Sequence, residues 1–106
     1  MKHLIAKAPK VADAFFNLTA QIREFSCLGT KTNELVLLGI FTAGRSPKGI
    51  VTHLNRALEA GATREDIISA ITLALPVVGI GAVNQALDIA METLATLEHD
   101  KADAIS

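Results

Sequence analysis

Apolar side chains recur every three or four positions along most of this chain, which is the repeat of an amphipathic α-helix. The first clear stripe lies between residues 9 and 25 and consists of Val11, Phe15, Leu18, Ile22 and Phe25. A second stripe, between residues 81 and 98, consists of Val83, Leu87, Ala90, Leu94 and Leu97. No segment convincingly has the period-two alternation of a strand. The pattern therefore predicts an all-α protein.

Start and stop signals divide the chain into five helices with short connections. They are expected at about residues 9–25, 30–44, 47–61, 64–76 and 81–98. Thr30 is a plausible N-cap for the second helix. Ser46 as N-cap followed by Pro47 is the strongest start signal. Thr63, with Asp66 three residues later, predicts a capping box for the fourth helix.

Composition adds a prediction about assembly. The 106 residues are enough for one domain, 1–106, and 50% of them are hydrophobic. The four aromatic residues are all Phe, so most of the apolar surface comes from Ala, Leu, Ile and Val, which suits closely packed helices. This is more apolar surface than one small copy buries easily, and we therefore expect a homo-oligomer.

Charge and cysteine content exclude several kinds of function. The net charge is −1 without a basic cluster, which argues against nucleic acid as a partner. Cys27 is the only cysteine, so one copy has no disulfide, dithiol cycle or cysteine-based metal site. The three histidines lack metal-ligand spacing, and no metal is expected. A reducing cytoplasm is the simplest location, because the N-terminal apolar stretch is too short for a secretion signal.

One stretch is long enough to raise the question of a membrane span. Residues 67–87 carry no charge, and about 20 apolar residues cross a bilayer. The stretch contains Pro76, Gly79 and Gly81, which favour a turn. It is therefore predicted to be a buried helix-turn-helix, and no membrane is expected as a partner.

Glu34 and His53 are the residues best suited to proton transfer. Glu34 shares a helical stripe with Leu37, Leu38 and Phe41, and burial there raises a carboxyl pKa towards the range of a general acid or base. The alternative is an ordinary first-turn glutamate favoured by the helix dipole. His53 lies at the edge of an apolar face, and imidazole is suited to proton transfer at neutral pH. Its alternative role is a hydrogen bond to a neighbouring helix.

Three residues around the start of the third helix are further candidates. Ser46 could be a nucleophile, but its role as the N-cap of the helix already accounts for a serine at this position. Lys48 lies where the helix dipole disfavours a cation, so it either holds an anionic substrate or is solvated. Gly49 lies beside His53 on the helix, where the small side chain leaves room for a molecule to approach.

Two segments resemble a known family. Residues 32–36, and residues 53–67 with a histidine followed eight positions later by Gly-Ala-Thr and then an acidic pair and Ile, resemble the carboxymuconolactone decarboxylase family. This family includes the alkylhydroperoxidase D branch. The resemblance covers about residues 28–97 and implies an alkylhydroperoxidase D-like helical domain that forms trimers or hexamers. It also implies no cofactor.

The resemblance assigns roles to the candidate residues. In the alkylhydroperoxidase D branch a Cys-x-x-Cys pair works with a glutamate and two histidines. Glu34 and His53 match the glutamate and the outer histidine, while Lys48 stands where the inner histidine belongs. Ser46 and Gly49 stand at the cysteine positions, so the dithiol peroxidase mechanism is excluded. The decarboxylase branch lacks the cysteines and retains the histidine.

Three functions follow as hypotheses. The first is an enzyme, a lyase acting by general acid/base chemistry on a small carboxylated or lactone substrate. Glu34 and His53 would be catalytic, and Lys48, Ser46 and Gly49 would bind substrate, with Arg45 or Arg56 as further carboxylate ligands. The second is an antioxidant protein of the alkylhydroperoxidase D branch, acting through Cys27 or a partner's thiol. The third is a non-catalytic oligomer that binds a ligand or a protein.

Overall fold

The fold is built from helices, and the computed structural model describes residues 1–105. Within this range there is no strand, which confirms the all-α prediction. The helices are α1 (Lys2–Lys7), α2 (Pro9–Phe25), α3 (Thr30–Ala43), α4 (Pro47–Glu59), α5 (Arg64–Thr72), α6 (Leu75–Val78) and α7 (Ile80–Ile105). The five predicted helices correspond to α2, α3, α4, α5 and α7. The short helices α1 and α6 are additional.

Local capping explains where the central helices begin and end. Ser46 is the N-cap of α4, and its Oγ accepts a hydrogen bond from the Gly49 N–H at 3.2 Å. The capping box predicted for α5 is present, since Thr63 and Asp66 exchange hydrogen bonds between side chain and backbone. The prediction that Thr30 is the N-cap of α3 is wrong, because Gly29 is the N-cap and Thr30 is the first helical residue.

The core lies between α3, α4, α5 and α7. Its most deeply buried large side chains are Leu38, Ile50, Leu54, Ile67, Ile71 and Val83. Helices α3 and α4 are joined by only three residues, 44–46, and pack extensively on each other. This pair is therefore a rigid support for side chains that point between the two helices.

The N-terminal segment is packed differently. Helix α2 contacts α1 but contacts the other helices only sparsely, and Ala12 is its only buried residue. The apolar stripe predicted for this helix is present, but all five of its residues are exposed, from 47% at Phe15 to 89% at Phe25. The rest of the chain does not cover this stripe.

The uncharged stretch from residue 67 to residue 87 is divided between α5, α6 and α7. Gly79, with a φ of 86°, ends α6 immediately before α7 begins, so the predicted turn between two helices is present. The prediction that this segment is buried is wrong around the turn, because Leu73, Val77 and Ile80 are exposed. No helix in the described part of the chain is long and apolar enough to span a membrane.

Candidate active site

Glu34 and His53 meet in the interior between α3 and α4. Glu34 lies in the second turn of α3 and is 1% exposed, while His53 lies in the middle of α4 and is 8% exposed. Glu34 Oε2 lies 2.5 Å from His53 Nδ1. The short connection between the two helices brings together residues that are nineteen positions apart. A carboxylate and an imidazole thus share a largely dry site.

A third residue, Arg23 on α2, completes the polar cluster. Its Nη1 donates a hydrogen bond to Glu34 Oε1 at 2.7 Å, so each carboxylate oxygen of Glu34 has its own partner. The Arg23 side chain is 34% exposed and so lies between the site and solvent. Sequence reasoning missed Arg23, because the pairing depends on how α2 turns into α3 and no spacing rule predicts it.

The pKa of Glu34 is lower than expected from the sequence. Burial is the largest single influence and raises the pKa, but the hydrogen bonds from His53 and Arg23 and their charges together lower it below the ordinary value of 4.5. The prediction that Glu34 has a raised pKa is therefore wrong, because it considered burial without these two partners. Glu34 is an ionised hydrogen-bond acceptor at neutral pH.

An aromatic ring covers the face of His53. The Phe41 ring stacks on the imidazole with centroids 4.9 Å apart and planes 11° apart. Gly49 makes room for this ring, since a Cβ at residue 49 would lie 2.2 Å from Phe41 Cδ1. The space beside Gly49, expected from the sequence to admit an approaching molecule, is occupied by Phe41. Only this tertiary contact reveals why residue 49 is small.

The other sequence candidates at the start of α4 lie outside the polar cluster. Ser46 caps the helix through its Oγ, so this oxygen already has a structural role. Lys48 is exposed in the first turn and forms no ion pair with a residue in the range 1–105. The structure therefore brings Glu34 and His53 together but does not add Ser46 or Lys48 to them.

Two arginines named from the sequence have different surroundings. Arg45 lies against α7, where its Nη2 would be 2.6 Å from a Cβ at Gly81. Arg56 follows His53 by three residues on α4, so the two side chains are neighbours on the helix surface. Arg56 also lines a surface depression of about 440 Å³ together with Arg23 and Glu34. Arg56 is thus a second basic residue, besides Arg23, in the depression beside Glu34.

The described residues offer no group of three or more His, Cys, Asp or Glu side chains arranged to hold a metal ion. Cys27 is exposed in the connection between α2 and α3.

The hydrogen bond at Nδ1 determines what His53 can do. A carboxylate only accepts hydrogen bonds, so Nδ1 carries the proton that points at Glu34. The other ring nitrogen, Nε2, makes no hydrogen bond within residues 1–105. A neutral imidazole held in this way can accept a proton at Nε2, and a charged imidazole can donate one. The arrangement is suited to general acid/base chemistry.

Comparisons with known proteins agree with this fold and with the resemblance noted above. The model of the carboxymuconolactone decarboxylase family matches residues 9–92. A crystal structure of a proposed carboxymuconolactone decarboxylase from Burkholderia xenovorans LB400 superimposes with a TM-score of 0.75 and 25% sequence identity. The match covers 92% of this chain and 80% of that one. No curated protein matches the chain. Because the family model spans well over half of the sequence, including the whole α3–α4 pair, the chain belongs to the carboxymuconolactone decarboxylase family.

Proposed function

We propose that this protein is a lyase that transfers a proton during the decarboxylation, or a related reaction, of a small carboxylated or lactone substrate. The observation that carries the proposal is the 2.5 Å contact between Glu34 Oε2 and His53 Nδ1 in a site from which water is largely excluded. His53 would be the catalytic residue that touches the substrate. Glu34 would hold the ring in position through the hydrogen bond at Nδ1.

The chemistry needs one proton donor. When a carboxylated lactone loses carbon dioxide, the bond to the carboxyl carbon breaks and its electron pair is delocalised into the lactone carbonyl. His53 Nε2–H would then protonate the substrate carbon. The imidazole regains a proton from water, so atoms and charges balance. Ionised Glu34 would accept the hydrogen bond from His53 Nδ1–H throughout, so the ring would keep the orientation that presents Nε2 to the substrate.

A substrate of this kind also carries a carboxylate that needs a cation. Arg56 is the best candidate, since it neighbours His53 on α4 and lines the same depression as Glu34. Its guanidinium forms no ion pair with the residues described, and it can bind a carboxylate with two parallel hydrogen bonds. Lys48, an exposed cation immediately before Gly49 in the first turn of α4, remains the second candidate. We also propose that the protein acts as a homo-oligomer in the cytoplasm.

The test is release of carbon dioxide from a panel of small carboxylated lactones by the wild type and by His53→Gln. Loss of the acid/base group is expected to lower kcat/KM roughly 10²–10⁴-fold. His99→Gln is the matched control, because His99 is exposed on α7 and distant in sequence from the cluster. Circular dichroism should show that both variants keep the wild-type helix content. Equal turnover by wild type and His53→Gln would refute the catalytic role.

A second candidate function is binding of a small carboxylate without turnover. The observation that favours it is that Ser46 and Gly49, at the positions of the family's cysteines, have structural roles as helix cap and as space for Phe41. Calorimetric titration with the same panel separates the two functions. Binding that His53→Gln leaves intact, together with no carbon dioxide release by the wild type, would favour the binding function. An antioxidant role would rest on Cys27 or on a partner's thiol, and equal peroxide consumption by wild type and Cys27→Ser would exclude a mechanism through Cys27.

A further inference from the structure

The chain exposes more surface than a solitary protein of its size. Its accessible surface is 7173 Å². The relation between mass and surface for folded monomers gives about 5,700 Å² for 11.2 kDa. The radius of gyration, 15.3 Å, also exceeds the value of about 13 Å for a compact domain of this length. The excess surface is about 1,500 Å², and one partner in a stable interface buries about 800 Å².

Part of this excess is the apolar stripe of α2. Val11, Leu18 and Ile22 are each more than half exposed, and Phe25 is 89% exposed. The residues of α2 that face the chain's own interior, Ala12 and Arg23, lie roughly a third of a turn away around the helix. The stripe therefore points away from the chain to which it belongs. Monomers rarely leave a continuous apolar face of this kind uncovered.

A complementary apolar surface lies between α3, α5 and α6. It is a groove of about 500 Å³ with Ala70 and Ala74 among its lining residues, and Val36, Ile40, Leu73 and Val77 as exposed apolar members. Thr32, Asp66 and Ser69 also line the groove, but polar atoms contribute little of its accessible surface, and the Asp66 carboxylate is engaged in the capping box with Thr63. A small-molecule site normally contains several convergent polar groups. This groove is better suited to an apolar helix face.

The chain's own α2 is held away from this groove. Arg23 anchors α2 to Glu34, and at 100° per residue Val36 lies roughly 160° around α3 from Glu34. Ser26 Oγ also donates a hydrogen bond to Asn33 Oδ1, which fixes the short connection between α2 and α3. An α2 stripe in the groove must therefore come from another copy.

We propose that the α2 stripe of one copy docks in the α3–α5–α6 groove of a second copy of this chain. The contact joins two different surfaces, so it closes either as a reciprocal exchange between two copies or as a ring. It also has a consequence for the polar cluster. Docking holds α2 in place, and Arg23 on α2 is thereby held beside Glu34.

The experiment uses two full-length chains with different tags, expressed together. Both carry Cys27→Ser; one also carries Ile22→Cys in the stripe, and the other carries Val36→Cys in the groove. A short bis-maleimide is expected to link the two different chains and to leave each chain unlinked when it is expressed alone. Replacing Ile22→Cys by Asn17→Cys, which lies roughly 120° from the stripe on α2, should abolish the link.

Sedimentation measures the mass of the assembly and tests the proposal independently of cross-linking. The wild type is expected at a multiple of 11.2 kDa, Ile22→Asp at the mass of one chain, and the control Asn17→Asp at the wild-type mass, all with unchanged circular dichroism. A wild type that sediments as a single chain would overturn the proposal. Links between two Ile22→Cys chains, which indicate packing of stripe on stripe, would overturn it as well.

Discussion

The α3–α4 pair and the α1–α2 segment use apolar side chains in opposite ways. In α3 and α4 the apolar residues Leu38, Ile50 and Leu54 are fully buried and enclose a polar pair. In α2 the large apolar residues face outward, while the small Ala12 and the charged Arg23 face inward. Helices α2 and α4 each have one apolar face in the sequence. Periodicity therefore indicates which residues share a face, while the identity of the covering surface depends on tertiary and quaternary packing.

The largest expected difference between the two regions is in stability. Leu38→Ala creates a cavity in the core and should lower the free energy of unfolding by about 2–5 kcal/mol. Leu18→Ala should change it by less than about 0.5 kcal/mol at dilutions where copies are separate. Urea unfolding of both variants measures this contrast. Equal losses at high dilution would mean that α2 packs on its own chain in solution. A loss for Leu18→Ala that grows with protein concentration would instead support docking between copies.

The next effect concerns the contribution of α2 to the polar cluster. Glu34→Gln keeps the shape of the side chain but removes its charge. For a lactone of the panel that the wild type decarboxylates, kcat/KM is expected to fall roughly 10²-fold or more. Arg23→Gln removes one charge-assisted hydrogen bond to Glu34 and should lower kcat/KM roughly tenfold. Steady-state kinetics of the two variants tests this order. If Arg23→Gln were the more damaging change, Arg23 would have to contact the substrate itself.

A smaller effect is expected where Gly49 meets Phe41. Gly49→Ala places a methyl group against the ring that stacks on His53, and overpacking of this kind costs about 1–3 kcal/mol. Thermal unfolding measures the loss. The double variant Gly49→Ala with Phe41→Leu should recover part of it, because the smaller side chain makes room. Full stability of the single variant would show that the ring moves away easily, and the stacking would then not be a fixed feature of the site.

The smallest effect is the dependence of stability on pH. Glu34 has a lowered pKa in the folded chain, so its contribution to stability is fully present above the ordinary value of 4.5 and is lost as the pH falls through the lowered value. The unfolding free energy of the wild type should therefore decrease more steeply below pH 4.5 than that of Glu34→Gln. Asp66 also has a lowered pKa, caused first by the Thr63 backbone N–H, but it is present in both proteins and cancels in the difference. Parallel curves would show that Glu34 is not held ionised by its partners.

Much of the fold follows from local signals in the sequence. Pro9, Ser46 with Pro47, and Thr63 with Asp66 act through their own backbone neighbourhood, and the helices they start are found where expected. The short helices α1 and α6 were missed, since helices of six and four residues have no detectable periodicity. Local signals thus identify the long helices and where they begin. Two predicted ends are wrong: α5 ends at Thr72 rather than near residue 76, and α7 continues to Ile105 rather than ending near residue 98.

The polar cluster was only partly predictable. The spacing of Glu34 and His53 pointed to the pair through the family resemblance, and the two residues are in contact. Arg23 and Phe41 were missed because they reach the pair from α2 and from another turn of α3, and such contacts leave no local signal. The direction of the Glu34 pKa was wrong for the same reason, since it depends on partners from two other helices.

The most direct test of the account is the protonation state of the His53 ring, measured by ¹⁵N NMR at neutral pH. The account predicts a proton on Nδ1, hydrogen-bonded to Glu34, in wild type, and a shift of the Nδ1 resonance in Glu34→Gln. A neutral ring with its proton on Nε2 and a bare Nδ1 would contradict it, because Glu34 could not then be the acceptor that leaves Nε2 available to a substrate.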